Sequence, residues 1–218
     1  MKGGVMGEKN EAEVTVSGKN LVFPELSFDE GPHVYKLNGV EVPSVSQIMR
    51  PLSDHHYGTI SPETLRVAAE RGTEVHSAIE VHTKYGIDDI DDSLGPYFDA
   101  FLQWEHDFVP APVGSEIRAY HPIMRYAGTI DMLAIIDGEL TLIDFKTTSA
   151  VLESSCGVQL EAYAQMLAAH GVGIRSKAIV QLKPTGQYKF VPFPANDPQR
   201  WRVFGALKTI YDYLGSCR

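Results

Sequence analysis

Apolar residues recur along this chain with two different periods, and the places where the period changes mark the elements. Over residues 14–42 the pattern is short and alternating, which predicts short strands. Val34-Tyr35-Lys36-Leu37 and Val40-Glu41-Val42 flank Asn38-Gly39, a pair that tolerates positive φ and predicts a tight hairpin. Pro43-Ser44 breaks that pattern, and Ser44 is placed to cap a short helix ending near Met49. From Ser61 the spacing becomes helical, with Pro62 in the first turn and Leu65, Ala68, Ala69, Val75, Ile79 and His82 recurring to about Tyr85. Gly72 weakens the middle of that helix. An acidic loop over 88–92 leads to a second helix over 94–108, carrying Tyr97, Phe98, Phe101, Leu102 and Trp104.

The period then drops to two. Strands are predicted over 115–121, 128–136 and 140–146, with Asp137-Gly138 turning the second into the third. A helix over 157–170 follows, closed by Gly171 and Gly173. A hairpin of strands 178–182 and 188–193 turns at Pro184-Thr185-Gly186. Asp197-Pro198 opens a last helix with Trp201, Phe204, Leu207, Ile210, Tyr211 and Leu214 at core spacing. The sum predicts an α/β sandwich around one mixed sheet flanked by helices. No internal repeat or low-complexity linker is visible, so residues 1–60 read as an N-terminal hairpin and short helix packed on a core formed by 61–218.

Composition changes this picture little. The 218 residues, 44% hydrophobic and 22% charged, suit one soluble domain with a proper core. No apolar run is long enough to span a bilayer, and residues 1–10 lack the apolar stretch of a secretory signal, so a cytoplasmic location is expected. Two distant cysteines, Cys156 and Cys217, make neither a disulfide framework nor an all-cysteine iron–sulfur site. Net charge does matter: at −9 it opposes nucleic-acid binding over the whole surface. It leaves room for a local basic patch beside a carboxylate-rich metal site.

The stretch that carries chemistry runs from Gly128 to Thr148. Asp131 falls at the beginning of one predicted strand, and Asp144 and Lys146 at the end of its hairpin partner, so the three converge. Asp144 and Lys146, two apart, project from one face. Clustered carboxylates are costly unless a cation neutralises them, and a hard divalent ion such as Mg²⁺ or Mn²⁺ suits carboxylate, backbone carbonyl and water ligands. Asp131, Asp144 and the Phe145 carbonyl are the expected ligands. Lys146 would then orient a water or stabilise charge on a phosphorane. The alternative reading makes Asp144 and Lys146 a surface pair; the Gly-x-x-Asp on the preceding strand argues against it.

Read together, these motifs resemble those of the PD-(D/E)XK nuclease superfamily, in its RecB-like exonuclease branch. Gly128-x-x-Asp131 resembles the first acidic motif and Asp144-Phe-Lys146-Thr147 the second, while Gln159-Leu-Glu-Ala-Tyr163 resembles the Gln-x-x-x-Tyr motif. Arg71-Gly-Thr-Glu-Val-His76 resembles the upstream Gly-x-x-x-His motif, whose histidine binds metal in part of the branch. The likeness spans roughly His76 to Leu182. It implies a restriction-endonuclease-like αβββαβ core within 61–218, with Gln159 and Tyr163 contacting the DNA backbone or orienting the site. It also implies His76 as a metal ligand, with Glu116 at an acidic position that some members place near the metal. Glu80, one turn after His76, could reach the ion through water or merely solvate the helix; Glu116 could equally be an exposed strand residue. Arg66, Arg71 and Lys183 are candidate phosphate contacts, and Tyr57 or Tyr126 candidate stacking residues.

The segment His33-x-Tyr35…Asn38-Gly39…Pro43-Ser44-Val45 resembles the lead-in of phage and mitochondrial genome-maintenance exonucleases of the branch. Members with iron–sulfur clusters use four cysteines, which this chain lacks. The implied activity is metal-dependent DNA exonucleolysis in phage-type replication, recombination or repair, in a phage-encoded or bacterial protein. A helicase or single-strand-annealing partner would be a separate chain. A structure-selective endonuclease and a non-catalytic nucleic-acid-binding protein on the same fold are the competing readings. A hydrolase with a serine or cysteine nucleophile finds no support: the sequence has no Gly-x-Ser-x-Gly elbow, and Cys156 has no evident partner.

Overall fold

The computed structural model describes residues 15–16 and 19–217. The lead-in expected over 1–10, and residue 14 of the strand-rich stretch, lie outside the described residues. β1 (Thr15–Val16) and β2 (Lys19–Asn20) pair antiparallel, and β3 (Leu26–Asp29), β4 (Val34–Leu37) and β5 (Val40–Val42) form a separate antiparallel sheet. Asn38 and Gly39 take φ of 52° and 77°, the twin positive values of a hairpin turn whose twist matches its strands.

Ser44 caps α1 (Val45–Ile48) as expected, its hydroxyl accepting from Gln47 N while the Gln47 side chain accepts from Ser44 N. A further helix, α2 (Arg50–Tyr57), follows at once. Pro51 reads in the sequence as a stop, but it falls in the first turn, where the missing N–H has no intrahelical partner to lose. α3 (Pro62–Tyr85) runs unbroken through Gly72 from its Ser61 cap. A single 3₁₀ turn, Asp92–Leu94, then leads into α4 (Gly95–Phe108).

The central sheet comprises β6 (Ala111–His121), β7 (Tyr126–Ile136), β8 (Glu139–Lys146), β9 (Ser176–Leu182) and β10 (Tyr188–Phe193), in the order β10-β9-β8-β7-β6. Only β8 and β9 run parallel, joined by the crossover helix α5 (Glu153–Ala169); α6 (Pro198–Ser216) closes the chain. β6 begins four residues before the sequence suggests. Pro112 and Gly114 argue against a strand there, and a register shift between them absorbs Val113.

Helices cover both faces. α3 and α4 pack on one through Val75, Ile79, Phe98, Phe101 and Trp104 against Met132, Ile143, Phe145 and Val180. α1, α5 and α6 pack on the other through Ile48, Leu160, Tyr163, Leu167 and Phe204 against Ile130, Leu133, Leu142 and Ile179. Tyr35, Leu37 and Val42 of the N-terminal sheet bury against Tyr120 and Ala127 at the β6–β7 end. Among the described residues, no helix is long and apolar enough to cross a membrane.

Candidate active site

β8 ends in Asp144-Phe145-Lys146, and the alternation of a strand sends its residues to opposite sides. Phe145 joins the core beneath α3 and α4, while Asp144 and Lys146 share the face under α5. Asp144 is 1% exposed. Gln159 of α5 donates Nε2–H to Asp144 Oδ1 at 3.0 Å and to Tyr163 Oη at 3.2 Å, so the two α5 residues one turn apart act together to fix the carboxylate. The other oxygen, Oδ2, lies 2.7 Å from Lys146 Nζ as an ion pair, yet it accepts no well-directed hydrogen bond.

Asp131 is not at the start of its strand but in the middle of β7, which begins at Tyr126. The ladder between β7 and β8 stops at Met132–Ile143, one residue short of it. There the strands splay, and Asp131 Oδ2 takes the Phe145 N–H at 2.8 Å in place of a backbone carbonyl. Face alternation also reverses at this point: Ile130 packs towards α5 but Met132 packs towards α3 and α4. Across the ladder, Ser115 pairs with Met132 and Ile117 with Ile130, leaving Glu116 beside Asp131 with a left-handed φ of 51°. A glutamate in that conformation is strained, and such strain is held where the surrounding structure over-determines it.

His76 reaches this gap from α3. Its neighbours Val75 and Ile79 are buried among the core aromatics and fix the helix face. Nε2 lies 3.0 Å from the Phe145 carbonyl, an acceptor only, so Nε2 carries the proton. In the neutral ring the Nδ1 lone pair then faces Asp131 Oδ2 at 3.6 Å and Glu116 Oε1 at 3.9 Å. These three donor atoms lie within 4.8 Å of one another.

The electrostatics follow from burial and crowding. Burial pushes the Asp144 carboxyl up to about 6, with Lys146 pulling it back and Asp131 pushing further. Glu116 rises to about 8, first through burial and then through the charges of Asp131 and Glu80. Burial alone would lower Lys146, but the negative charges of Asp144 and Asp131 outweigh it and hold the ammonium above its ordinary value. A divalent cation fits the chemistry of this set. Asp144 Oδ2 is a buried carboxylate oxygen whose neighbour is the Lys146 ammonium. The group of His76, Glu116 and Asp131 offers one imidazole nitrogen and two carboxylate oxygens, donor types that such an ion accepts.

Other expected residues are placed less centrally. Glu80 is bound to Lys84 at 2.5 Å and stands outside the three-donor group. The Phe145 carbonyl accepts from His76, which leaves it one lone pair. Arg66 is forked between Glu63 and Glu70, both at 2.6 Å, on the exposed face of α3. Arg71 turns inward, bonding Thr147 Oγ1 and the Thr147 carbonyl while its guanidinium lies 5.2 Å from the Tyr97 ring centre. Lys183 opens the β9–β10 turn, two residues after Gln181, the strand partner of Lys146. Tyr126 cannot stack on a base: its ring is fully buried and its hydroxyl donates to the Ala162 carbonyl. The side chain of Tyr57 lies outside the described residues. Both cysteines are free thiols, Cys156 buried and Cys217 exposed.

Gly128 has a role that the motif alone does not explain. A Cβ there would stand 2.8 Å from Tyr163 Cε1, so a side chain would displace the ring that steadies Gln159.

A family model for the PD-(D/E)XK nuclease superfamily matches residues 48–206, well over half of the chain. No curated protein matches the sequence. Among solved structures, LHK-Exo in complex with dAMP is similar at 15% identity and a TM-score of 0.37, over 66% of this chain and 84% of that one. SSO0001 is similar at 12% identity and a TM-score of 0.36, over 77% and 84%. The alkaline exonuclease LHK-Exo from Laribacter hongkongensis is similar at 15% and 0.34, over 68% and 90%. Likenesses of that degree are too remote to transfer an activity.

Proposed function

The chain belongs to the PD-(D/E)XK nuclease superfamily, and from that premise we propose that it is a Mg²⁺- or Mn²⁺-dependent DNA exonuclease. Its substrates are single strands or duplex ends, as phage-type replication, recombination or repair would supply. The observation that carries this reading is the meeting of His76 Nδ1, Glu116 Oε1 and Asp131 Oδ2 within 4.8 Å, beside the Asp144–Lys146 pair.

His76, Glu116, Asp131 and Asp144 would hold the cation, with the Phe145 carbonyl kept as the anchor of the His76 ring. When bound, the cation supplies a Lewis acid for a phosphate oxygen and lowers the pKa of a water. The chain's own groups do the rest. Gln159 holds Asp144 Oδ1 and so leaves Oδ2 to Lys146. Tyr163, its phenol pushed well up by burial, stays protonated, and its oxygen accepts from Gln159 to set the orientation of the amide. Lys146 is held as an ammonium by the two aspartates, so at neutral pH it stabilises negative charge on the scissile phosphate rather than taking a proton. His76 is fixed by its Nε2–H bond to the Phe145 carbonyl, as an oriented metal ligand should be.

The test is nucleotide release from linear DNA with Mg²⁺ or Mn²⁺. Release should stop with chelator and with Asp144→Ala or Lys146→Ala, and closed circular single strands should survive. Retained cleavage in both variants overturns the site, and cut circles overturn exonucleolysis in favour of an endonuclease.

A further inference from the structure

A site holding so many carboxylates needs a compensating cation to bring a phosphodiester alongside, and most nearby cations are committed. Arg66 and Lys84 are paired on α3, and Arg71 is turned in to the Thr147 backbone. Arg118 differs. It lies on β6, the edge strand of the central sheet, two residues beyond Glu116 and directly paired with Thr129, which is itself two residues from Asp131. Two strand residues span roughly 6–7 Å. Its guanidinium rests 4.8 Å from the centre of the Phe28 ring, and that ring packs on Tyr35, whose hydroxyl is 2.7 Å from Thr129 Oγ1. The N-terminal sheet therefore holds the guanidinium of Arg118 on an aromatic shelf, on the strand that carries Glu116.

Among the described residues, one carboxylate answers it. Arg118 Nη2 meets Glu30 at 3.1 Å, and the Glu30 side chain is 77% exposed. An ion pair so exposed is worth little and is readily exchanged, whereas a planar guanidinium suits the oxygens of a phosphate. We infer that Arg118 is a docking point for a backbone phosphate of the strand being cut, and that Glu30 occupies its fork until that phosphate arrives. This rests on the nuclease reading above and adds to it a binding track along the β6 edge, on the side of the N-terminal sheet.

The experiment measures binding of a fluorescein-labelled oligothymidylate in EDTA over a range of salt concentrations, for the wild type, Arg118→Ala, Arg118→Lys and Glu30→Ala. Arg118→Ala should weaken binding several-fold and reduce the slope of log K against log salt by about 0.7, the share of one single-strand phosphate contact. Arg118→Lys should keep the slope while losing part of the affinity. Glu30→Ala, a change at an exposed side chain, should tighten binding. Wild-type affinity and slope in Arg118→Ala overturn the inference. If that variant misfolds, Glu30→Ala decides: tighter binding supports the inference, and equal or weaker binding overturns it. Cutting of the same oligonucleotide by the wild type with Mn²⁺ is scored separately. A protein that binds through Arg118 but does not cut sinks the nuclease reading alone, and one that cuts with Arg118→Ala binding as wild type sinks this inference alone.

Discussion

Among the described residues, two lysines pair with a buried carboxylate: Lys146 with Asp144 at the end of β8, and Lys177 of β9 with Glu161 of α5. α5 serves both, through Gln159 on one and through Glu161 itself on the other. In the second pair both carboxylate oxygens are well supplied. Glu161 accepts from Lys177, from Gln165 Nε2 at 2.9 Å and from the Asp197 N–H at 3.2 Å, and so ties α5, β9 and the start of α6 together. The first pair has fewer partners. Asp144 has Gln159 at Oδ1 and Lys146 at Oδ2, and Asp131 raises its carboxyl further. A buried ion pair with donors on both oxygens and no other carboxylate pressing on it serves as structure; one with fewer donors beside other carboxylates is arranged for an incoming charge.

Mutation should separate the two. Asp144→Asn should cut nuclease turnover by about 10³-fold while lowering the melting temperature at pH 8 less than Glu161→Ala does. It removes a carboxylate charge that burial disfavours and leaves Asp131 to answer Lys146. Glu161→Ala strips Lys177 of its carboxylate. Removing one partner of a buried pair costs about 3–5 kcal/mol, which corresponds to a melting temperature lower by roughly 6–20 °C in a domain of this size. Thermal melts and initial rates on the two variants check this together. A larger loss of melting temperature in Asp144→Asn than in Glu161→Ala would break the distinction.

A smaller effect belongs to Gly128, which links the two regions because Tyr163 packs against it from α5. Gly128→Ala must push the Tyr163 ring aside, at a cost of about 1–3 kcal/mol in stability. Turnover should fall up to about 10²-fold through Gln159 and Asp144, with metal affinity changed far less. Wild-type turnover in Gly128→Ala would mean that Tyr163 does not steady the site.

Much of this was legible in the sequence because it is local. The hairpin turn at Asp137-Gly138 and the two-residue spacing of Asp144 and Lys146 bring the aspartates and lysine together, and helical spacing puts Gln159 and Tyr163 on one face. What the pattern missed depends on strand register and tertiary contact. Nothing in Ser115-Glu116-Ile117 announces a left-handed residue, and period-two alternation cannot foresee a reversal at Asp131. Lys177 reads as an ordinary surface lysine until β9 is laid under α5. Arg118 meets Glu30 across 88 residues of chain, so no local motif could join them. α2 was hidden by Pro51, which the eye takes as an end and the helix uses as a beginning.

Binding of a divalent cation by His76, Glu116, Asp131 and Asp144 is tested most directly by calorimetric titration of Mn²⁺ into the wild type and Asp131→Ala, at pH 6 and at pH 8. Glu116 is raised to about 8 from an ordinary value of 4.5, so below pH 8 the ion must displace a proton, and affinity should climb with pH across that window. Mn²⁺ should bind the wild type more tightly at pH 8 than at pH 6, and Asp131→Ala at least tenfold more weakly. No heat of binding in the wild type, or equal affinity in the two proteins, would contradict this ligand set.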